Sequence, residues 1–168
     1  EEKWVRVEGG VVKDQLNDYL RPHGFFFAPD LSTSNRATIG GMINTDASGQ
    51  GSLVYGKTSN HVLALESVLA NGDFLNTQPM TLSQARALVE QSNTNDSHAR
   101  IMSQVLESCI NNRSEVLKTF PRLNRFLTGY DLENVLTADD TGDIIGVDLS
   151  RLITGSEGSL AFVCEAKL

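Results

Sequence analysis

Two stretches of this chain combine residue types that bind ligands. The first is Ala37-Thr38-Ile39-Gly40-Gly41-Met42-Ile43-Asn44-Thr45-Asp46-Ala47-Ser48-Gly49. Paired glycines permit positive φ and let a backbone approach a ligand closely, while freed amides and the Thr and Ser hydroxyls can donate to an anion or a flat polar ring. A phosphate-bearing cofactor fits that chemistry, and a glycine-rich surface loop is the plain alternative. The spacing is neither G-x-G-x-x-G nor a Walker loop. The second stretch is Ile153-Thr154-Gly155-Ser156-Glu157-Gly158-Ser159-Leu160-Ala161-Phe162-Val163, a tight polar turn that runs into an apolar strand. Such a turn can present amides and Glu157 to a ligand while the strand anchors it, or be an ordinary turn with a solvated Glu157.

Other chemistry-bearing side chains are dispersed. His23, His61 and His98 share no acidic or cysteine neighbours in sequence, so they read as surface or structural histidines rather than bases, metal ligands or flavin attachment points. Asp139-Asp140, Asp143 and Asp148 lack the glycine spacing and terminal glutamate of an EF-hand, and read as a solvated acidic loop. Cys109 and Cys164 stand far apart with no Cys or His at ligand spacing, which supports neither a disulfide framework nor a zinc site. No catalytic residue and no metal ligand is assigned.

The elements that must position the two stretches follow from periodicity. Trp4-Val5-Arg6-Val7 alternates as a strand, and Val12, Leu16, Tyr19 and Leu20 recur at helical spacing until Pro22 and Gly24. Phe25-Phe26-Phe27 reads as a buried strand leading to the Pro29 turn, with an aromatic wall beside a flavin as the minor alternative. The polar, glycine-rich run from Leu31 to Asn60 has no periodicity, which in a compact domain points to binding. His61 to Ala70 and Phe74-Leu75 flank Asn71-Gly72, predicting a hairpin with a type I′ turn. From 83 to about 119 the period becomes helical, with Ser83 as a cap, predicting a peripheral helical insertion whose removal leaves a folded core. Ile144–Asp148 and Leu160–Leu168 read as strands. The fold class is therefore α+β, a mixed or antiparallel sheet flanked by helices.

With 168 residues, 40% of them apolar, the chain is large enough for one buried core. A net charge of -7 leaves no basic face for nucleic acid or anionic membrane surfaces. No apolar run reaches the roughly 18 residues of a membrane span. Glu1-Glu2-Lys3-Trp4 lacks a signal-peptide layout, so a cytoplasmic location is expected, peripheral to the inner membrane at most.

Taken in order, Pro29-Asp30, Ala37-Thr38-Ile39-Gly40-Gly41, Asn44-Thr45-Asp46-Ala47-Ser48-Gly49, Tyr55-Gly56, Leu69-Ala70-Asn71-Gly72-Asp73, Gly129-Tyr130-Asp131-Leu132 and Gly155-Ser156-Glu157-Gly158-Ser159-Leu160 resemble the vanillyl-alcohol-oxidase (PCMH-type) FAD-binding domain. The resemblance covers residues 1 to about 80 and 126 to 168. It is greatest to the D-lactate, glycolate and D-2-hydroxyglutarate dehydrogenase branch, and within it to long bacterial proteins that carry FAD and iron–sulfur domains in one chain.

That resemblance implies a second α+β subdomain of an FAD domain. By it, Pro29, Asp30, Thr38, Ile39, Gly40 and Gly41 line the flavin side of the cofactor. Asn44, Thr45, Ala47, Ser48 and Gly49 serve flavin and pyrophosphate, and Glu157, Gly158, Ala161 and Val163 the adenosine portion. It also implies a small D-2-hydroxy acid substrate, hydride transfer to the flavin and a separate electron acceptor. An electron-relay FAD domain and a non-catalytic association segment are the rival readings. No pyrophosphate loop precedes Trp4, Glu133 to Ile153 intervene between two blocks the family joins closely, and no substrate cap or iron–sulfur cysteines follow. The expectation is a portion of an enzyme, inactive and colourless by itself, whose parent holds FAD.

Overall fold

The computed structural model describes residues 3–92, 96–120 and 129–168. Its main sheet is antiparallel throughout. It joins β1 (Arg6–Glu8), β7 (Ala161–Lys167), β2 (Ala64–Leu69) and β3 (Phe74–Thr77) in that order. Alternation decides the faces: Val7, Ala166 and Leu65 lie in register and are buried, whereas the next row, Glu8, Glu165 and Glu66, turns outward. Arg6 offsets that row of carboxylates, reaching Glu165 at 2.7 Å and Glu66 at 3.5 Å.

Against the inner face pack α1 (Lys13–Leu20) and α2 (Ile39–Asn44), and a single turn, α3 (Ser52–Tyr55), follows. Helices α1 and α2 contribute Leu16, Ile39, Met42 and Ile43 to a core with Val7, Leu65, Leu75, Val163 and Ala166. Each of the larger side chains among them contributes about 1.5–3 kcal/mol by leaving water. Phe25-Phe26-Phe27 is not a buried strand: Phe25 and Phe26 are exposed and only Phe27 enters the core, its amide held by Asn17 Oδ1 at 2.7 Å. The segment wraps the end of α1 and a following 3-10 turn (Arg21–His23), and finds no strand to pair with.

The β2–β3 hairpin forms where expected, with a different turn. Among residues 69–73 only Gly72 has positive φ, at 88°, so Asn71 does not take the conformation a type I′ turn requires. Gly72 N–H donates to Leu69 O and Leu69 N–H to Asp73 O, which is a type I turn closed by a glycine bulge. Asn71 serves through its side chain, whose Oδ1 accepts from Asp73 N–H at 3.1 Å. The Ser97 hydroxyl donates to Asp73 Oδ2, and that bond, with Asn71, holds the Asp73 carboxyl below the usual range.

The helical segment is not peripheral. Its helices are α4 (Leu82–Gln91), α5 (Ser97–Asn111) and α6 (Arg113–Thr119), with residues 93–95 outside the described residues. A second antiparallel sheet runs β4 (Met80–Thr81), β6 (Ile144–Val147), β5 (Leu136–Ala138). Ala85, Met102, Leu106 and Cys109 from the helices share one buried cluster with Val135, Leu136, Val147 and Leu149. Ile101 touches both cores. The helix α4 cap is Thr81, not Ser83, in a reciprocal pair with Gln84. Burial pushes the Cys109 thiol up, the setting of an inert cysteine.

The acidic run divides. Asp139 closes the β5–β6 turn by accepting from the Thr141 hydroxyl at 2.7 Å and from the Thr141 and Asp143 amides at 2.9 and 3.0 Å, and these bonds, the hydroxyl's first, hold its carboxyl low. Asp148 is buried rather than solvated, and it accepts from Ser150 N–H and Oγ–H at the start of α7 (Ser150–Ile153).

His98 carries a buried Nε2 with no hydrogen-bond partner among the described residues, and burial pushes its pKa down. A depressed histidine is held neutral in the native state while the unfolded chain binds a proton. Stability is therefore expected to fall as pH drops below the ordinary histidine value of about 6.5. Urea midpoints at pH 7.5 and 5.5 should differ more for the natural protein than for His98→Leu. Equal differences would reject the assignment.

Candidate cofactor-binding site

Thr38 begins α2 as an N-cap, its Oγ1 accepting from Gly41 N–H at 3.2 Å. The glycine that follows Ile39 has a structural duty. Gly40 N–H donates to Gly9 O at 2.8 Å, and a Cβ on Gly40 would stand 3.0 Å from that oxygen and 3.3 Å from Gly9 Cα. Gly9 is pressed in turn on β7, where a Cβ would meet Val163 O at 2.5 Å. Neither Gly40 nor Gly41 has positive φ; the left-handed residue of the stretch is Asp46, at 43°. The expectation that Gly40 admits a ligand by positive φ is corrected: it is buried, and the backbone it admits is the protein's own.

The second stretch docks on the first. Gly155 N–H donates to Ile43 O at 2.9 Å and Glu157 N–H to Asn44 O at 2.8 Å, so the turn closes the C-terminal end of α2. Left-handed φ at Gly155 (84°), Glu157 (54°) and Gly158 (74°) makes that reversal possible. The Gly129 block joins them: Tyr130 Oη lies 3.1 Å from Ser159 Oγ, although Glu133 to Ile153 intervene in sequence. Asp131 is buried and holds Asn134.

Many amides expected to be free are consequently committed. Ile39 donates to Val11 O, Thr45 to Gly41 O, Ala47 to Met42 O, and Gly49 to Ser52 Oγ. Asp46 is neutralised by Lys57 and accepts from Ser59 N–H at 2.8 Å, which fastens residues 45–49 to the 3-10 turn Thr58–Asn60. What remains for a ligand is a set of side chains. Asn44 Oδ1, Thr154 Oγ1 and Ser156 Oγ are buried without a partner among the described residues, all at the junction of the two stretches. Thr154 and Ser156 are each 3% exposed. Neither figured among the sequence-derived site residues, since a hydroxyl's lack of a partner has no signature in sequence.

At the end of the first stretch, Ser48, Gly49 and Gln50 line a cavity of about 410 Å3 together with Asp30, Leu31, Ser32 and Thr33. Pro29 is fully buried beneath it and Asp30 is exposed. Of the expected contacts, Thr38, Asn44, Ala47, Ser48 and Gly49 are half-buried, and Gly41, Thr45, Glu157 and Gly158 are exposed. Ile39, Ala161 and Val163 are core side chains, so only their backbones could meet a ligand. The histidines lie elsewhere: His23 packs at a tilt against Tyr19, and His61 reaches Tyr55 O at 2.8 Å and packs edge-on to Phe27. Among the described residues no three His, Cys, Asp or Glu side chains group to hold a metal ion.

Residues 1–78 match the family model described as an FAD binding domain. Across all or nearly all of its length the chain is similar to two proteins named D-2-hydroxyglutarate dehydrogenase, 56% identical to that of Haemophilus influenzae and 58% to that of Escherichia coli K12. It spans 16% of the length of each. A D-lactate dehydrogenase of Archaeoglobus fulgidus is 42% identical over 76 residues, 45% of this chain and 17% of that protein. Among solved structures, alkyldihydroxyacetonephosphate synthase superposes over 98% of this chain and 18% of that one, with a TM-score of 0.52 at 16% identity, a likeness of fold alone. The fold is that of a PCMH-type FAD-binding domain, and the first of the two glycine stretches lies within the matched residues. Within that class, the chain is similar over its whole length to proteins of the D-2-hydroxy-acid dehydrogenase branch.

Proposed function

We propose that this chain supplies one of two α+β halves enclosing FAD in a longer dehydrogenase. That enzyme oxidises a small D-2-hydroxy acid, D-2-hydroxyglutarate by the names of the relatives, and passes the electrons to a separate acceptor. Bound FAD would supply a flavin able to take a hydride from the hydroxyl-bearing carbon. The chain's own residues hold and orient it. The α2 end and the Gly155–Gly158 turn form a rigid floor, and Asp30–Thr33 with Ser48–Gln50 form a wall. The substrate-binding and catalytic groups lie outside these residues. Two unpaired cysteines suit a reducing, cytoplasmic location, and no helix among the described residues is long and apolar enough to cross a membrane.

The observation that carries the reading is the group of partnerless polar atoms on Asn44, Thr154 and Ser156. A buried polar atom without a partner costs about 1–3 kcal/mol; Ser67 Oγ, Thr77 Oγ1 and His98 Nε2 bear that cost elsewhere in the fold, whereas the three at this junction lie on or beside the glycine stretches, where a ligand would satisfy them. They fit the polar portions of FAD, which accept and donate hydrogen bonds. Full-length protein carrying Thr154→Val and Ser156→Ala should bind FAD about thirtyfold more weakly, at about 1 kcal/mol for each lost bond. The melting point of its FAD-free form should hold or rise, because hydroxyls without a partner are removed. Unchanged FAD affinity would sink the assignment. Anaerobic bleaching of the bound flavin by D-2-hydroxyglutarate, but not by its L enantiomer, tests the substrate.

A further inference from the structure

One charged side chain is buried where neither packing nor helix electrostatics favours it. Lys13 is 5% exposed and opens α1, so its ammonium sits at the positive end of that helix, where a cation is disfavoured. Its backbone is locked, with Lys13 N–H on Ala37 O and the neighbouring Asp14 N–H on Ser34 O, so the loop from Asp30 to Ala37 folds over the start of α1. The nearest carboxylate is Asp30 Oδ1 at 3.6 Å, beyond hydrogen-bond distance, on a side chain 63% exposed. Water screens the exposed partner far more than the buried one, so the positive potential of Lys13 is only partly cancelled inside the fold. Asp30 and Thr33 of that same loop line the cavity, together with Ser48 and Gln50 from the other stretch.

Resting on the FAD-site reading above, we infer that Lys13 is a positioning residue that sets a positive potential under the flavin wall, stabilising the reduced, negatively charged form of the bound cofactor. Lys13 touches neither cofactor nor substrate. It acts through the field it lends the Asp30 loop, and Asp30 opposes it. The pair thus tunes how readily the site accepts electrons. A mere anchor for the loop would alter stability and FAD retention without shifting the redox balance in a direction that follows charge.

The test uses full-length, FAD-loaded protein with Lys13→Met, Lys13→Arg and Asp30→Asn, reading midpoint potential by dye equilibration beside flavin content and melting temperature. Lys13→Met should shift the two-electron balance at least tenfold toward the oxidised form, about 30 mV. Asp30→Asn should shift it toward the reduced form, and Lys13→Arg should hold near the natural value. If Lys13→Met does not fold, the Asp30→Asn shift decides alone. Shifts below threefold, or of one sign in both variants, with flavin fully bound, would overturn the role of Lys13 and leave the FAD site standing. A natural full-length protein that binds no FAD would overturn both.

Discussion

Full-length protein carrying Gly49→Ala is expected to lose its FAD and a large part of its stability in a single step. A Cβ built on Gly49 overlaps the Asp30 carbonyl oxygen, and the obstructing atoms are backbone, which no rotamer change can move aside. Either the Asp30 loop or the Ser48–Gln50 loop must retreat, and these are the two sides of the cavity proposed to wall the flavin. Overpacking in a well-packed region costs typically 1–3 kcal/mol, and a backbone collision belongs at or above the top of that range. Against a typical domain stability of about 5–15 kcal/mol that is a large loss. The matched control is Gly10→Ala, where an added Cβ meets nothing within 4 Å and no positive φ is involved. Gly10→Ala should purify yellow with an unchanged urea midpoint, while Gly49→Ala should be pale with a midpoint far lower. A yellow, equally stable Gly49→Ala protein would show that the two loops are not fixed against each other.

A second large effect is expected from replacing residues 83–119 by a short linker in the full-length protein. The periodicity of this segment alone suggests an appendage whose loss is harmless. The structure makes it half of a core, because Ala85, Met102, Leu106 and Cys109 cover Val135, Leu136, Val147 and Leu149. Uncovering four such side chains and deleting their partners forfeits burial of about 1.5–3 kcal/mol for each large residue, more than a small sheet with short strands can withstand. Hydrogen exchange should therefore show β5 and β6 unprotected and soluble yield much reduced. The main sheet, built on its own cluster, should keep protection in β2 and β7. Full protection of Ile144–Val147 in the deletion variant would mean that the second sheet stands without its helices.

Much of this protein is written locally. The apolar run Leu160–Leu168 marks a strand, but its faces are not legible: the alternation of Leu160, Phe162, Cys164 and Ala166 is broken by a bulge opposite Glu66 and Ser67, so Ala161, Val163 and Ala166 turn inward and Phe162 outward. Leu16 and Leu20 mark the inner stripe of α1, because a side-chain period of 3.6 depends only on the chain's own geometry. Asn71-Gly72 marks a hairpin for the same reason, and the ordered glycine blocks are sufficient to indicate an FAD-binding domain. The duties of individual residues are another matter. Gly40 is small because Gly9 approaches it, and the Gly155 and Glu157 amides are spent on Ile43 and Asn44. The importance of Thr154 and Ser156 lies in partners they lack, and that of helices α4 and α5 in a sheet whose strands lie on both sides of them in the chain. Such facts depend on which distant segments share a surface, and hydrogen-bond satisfaction and steric exclusion are settled only once those segments meet. Sequence determined most of the elements and the likeness to an FAD-binding domain, while tertiary packing decided which polar atoms found partners inside the fold and which did not.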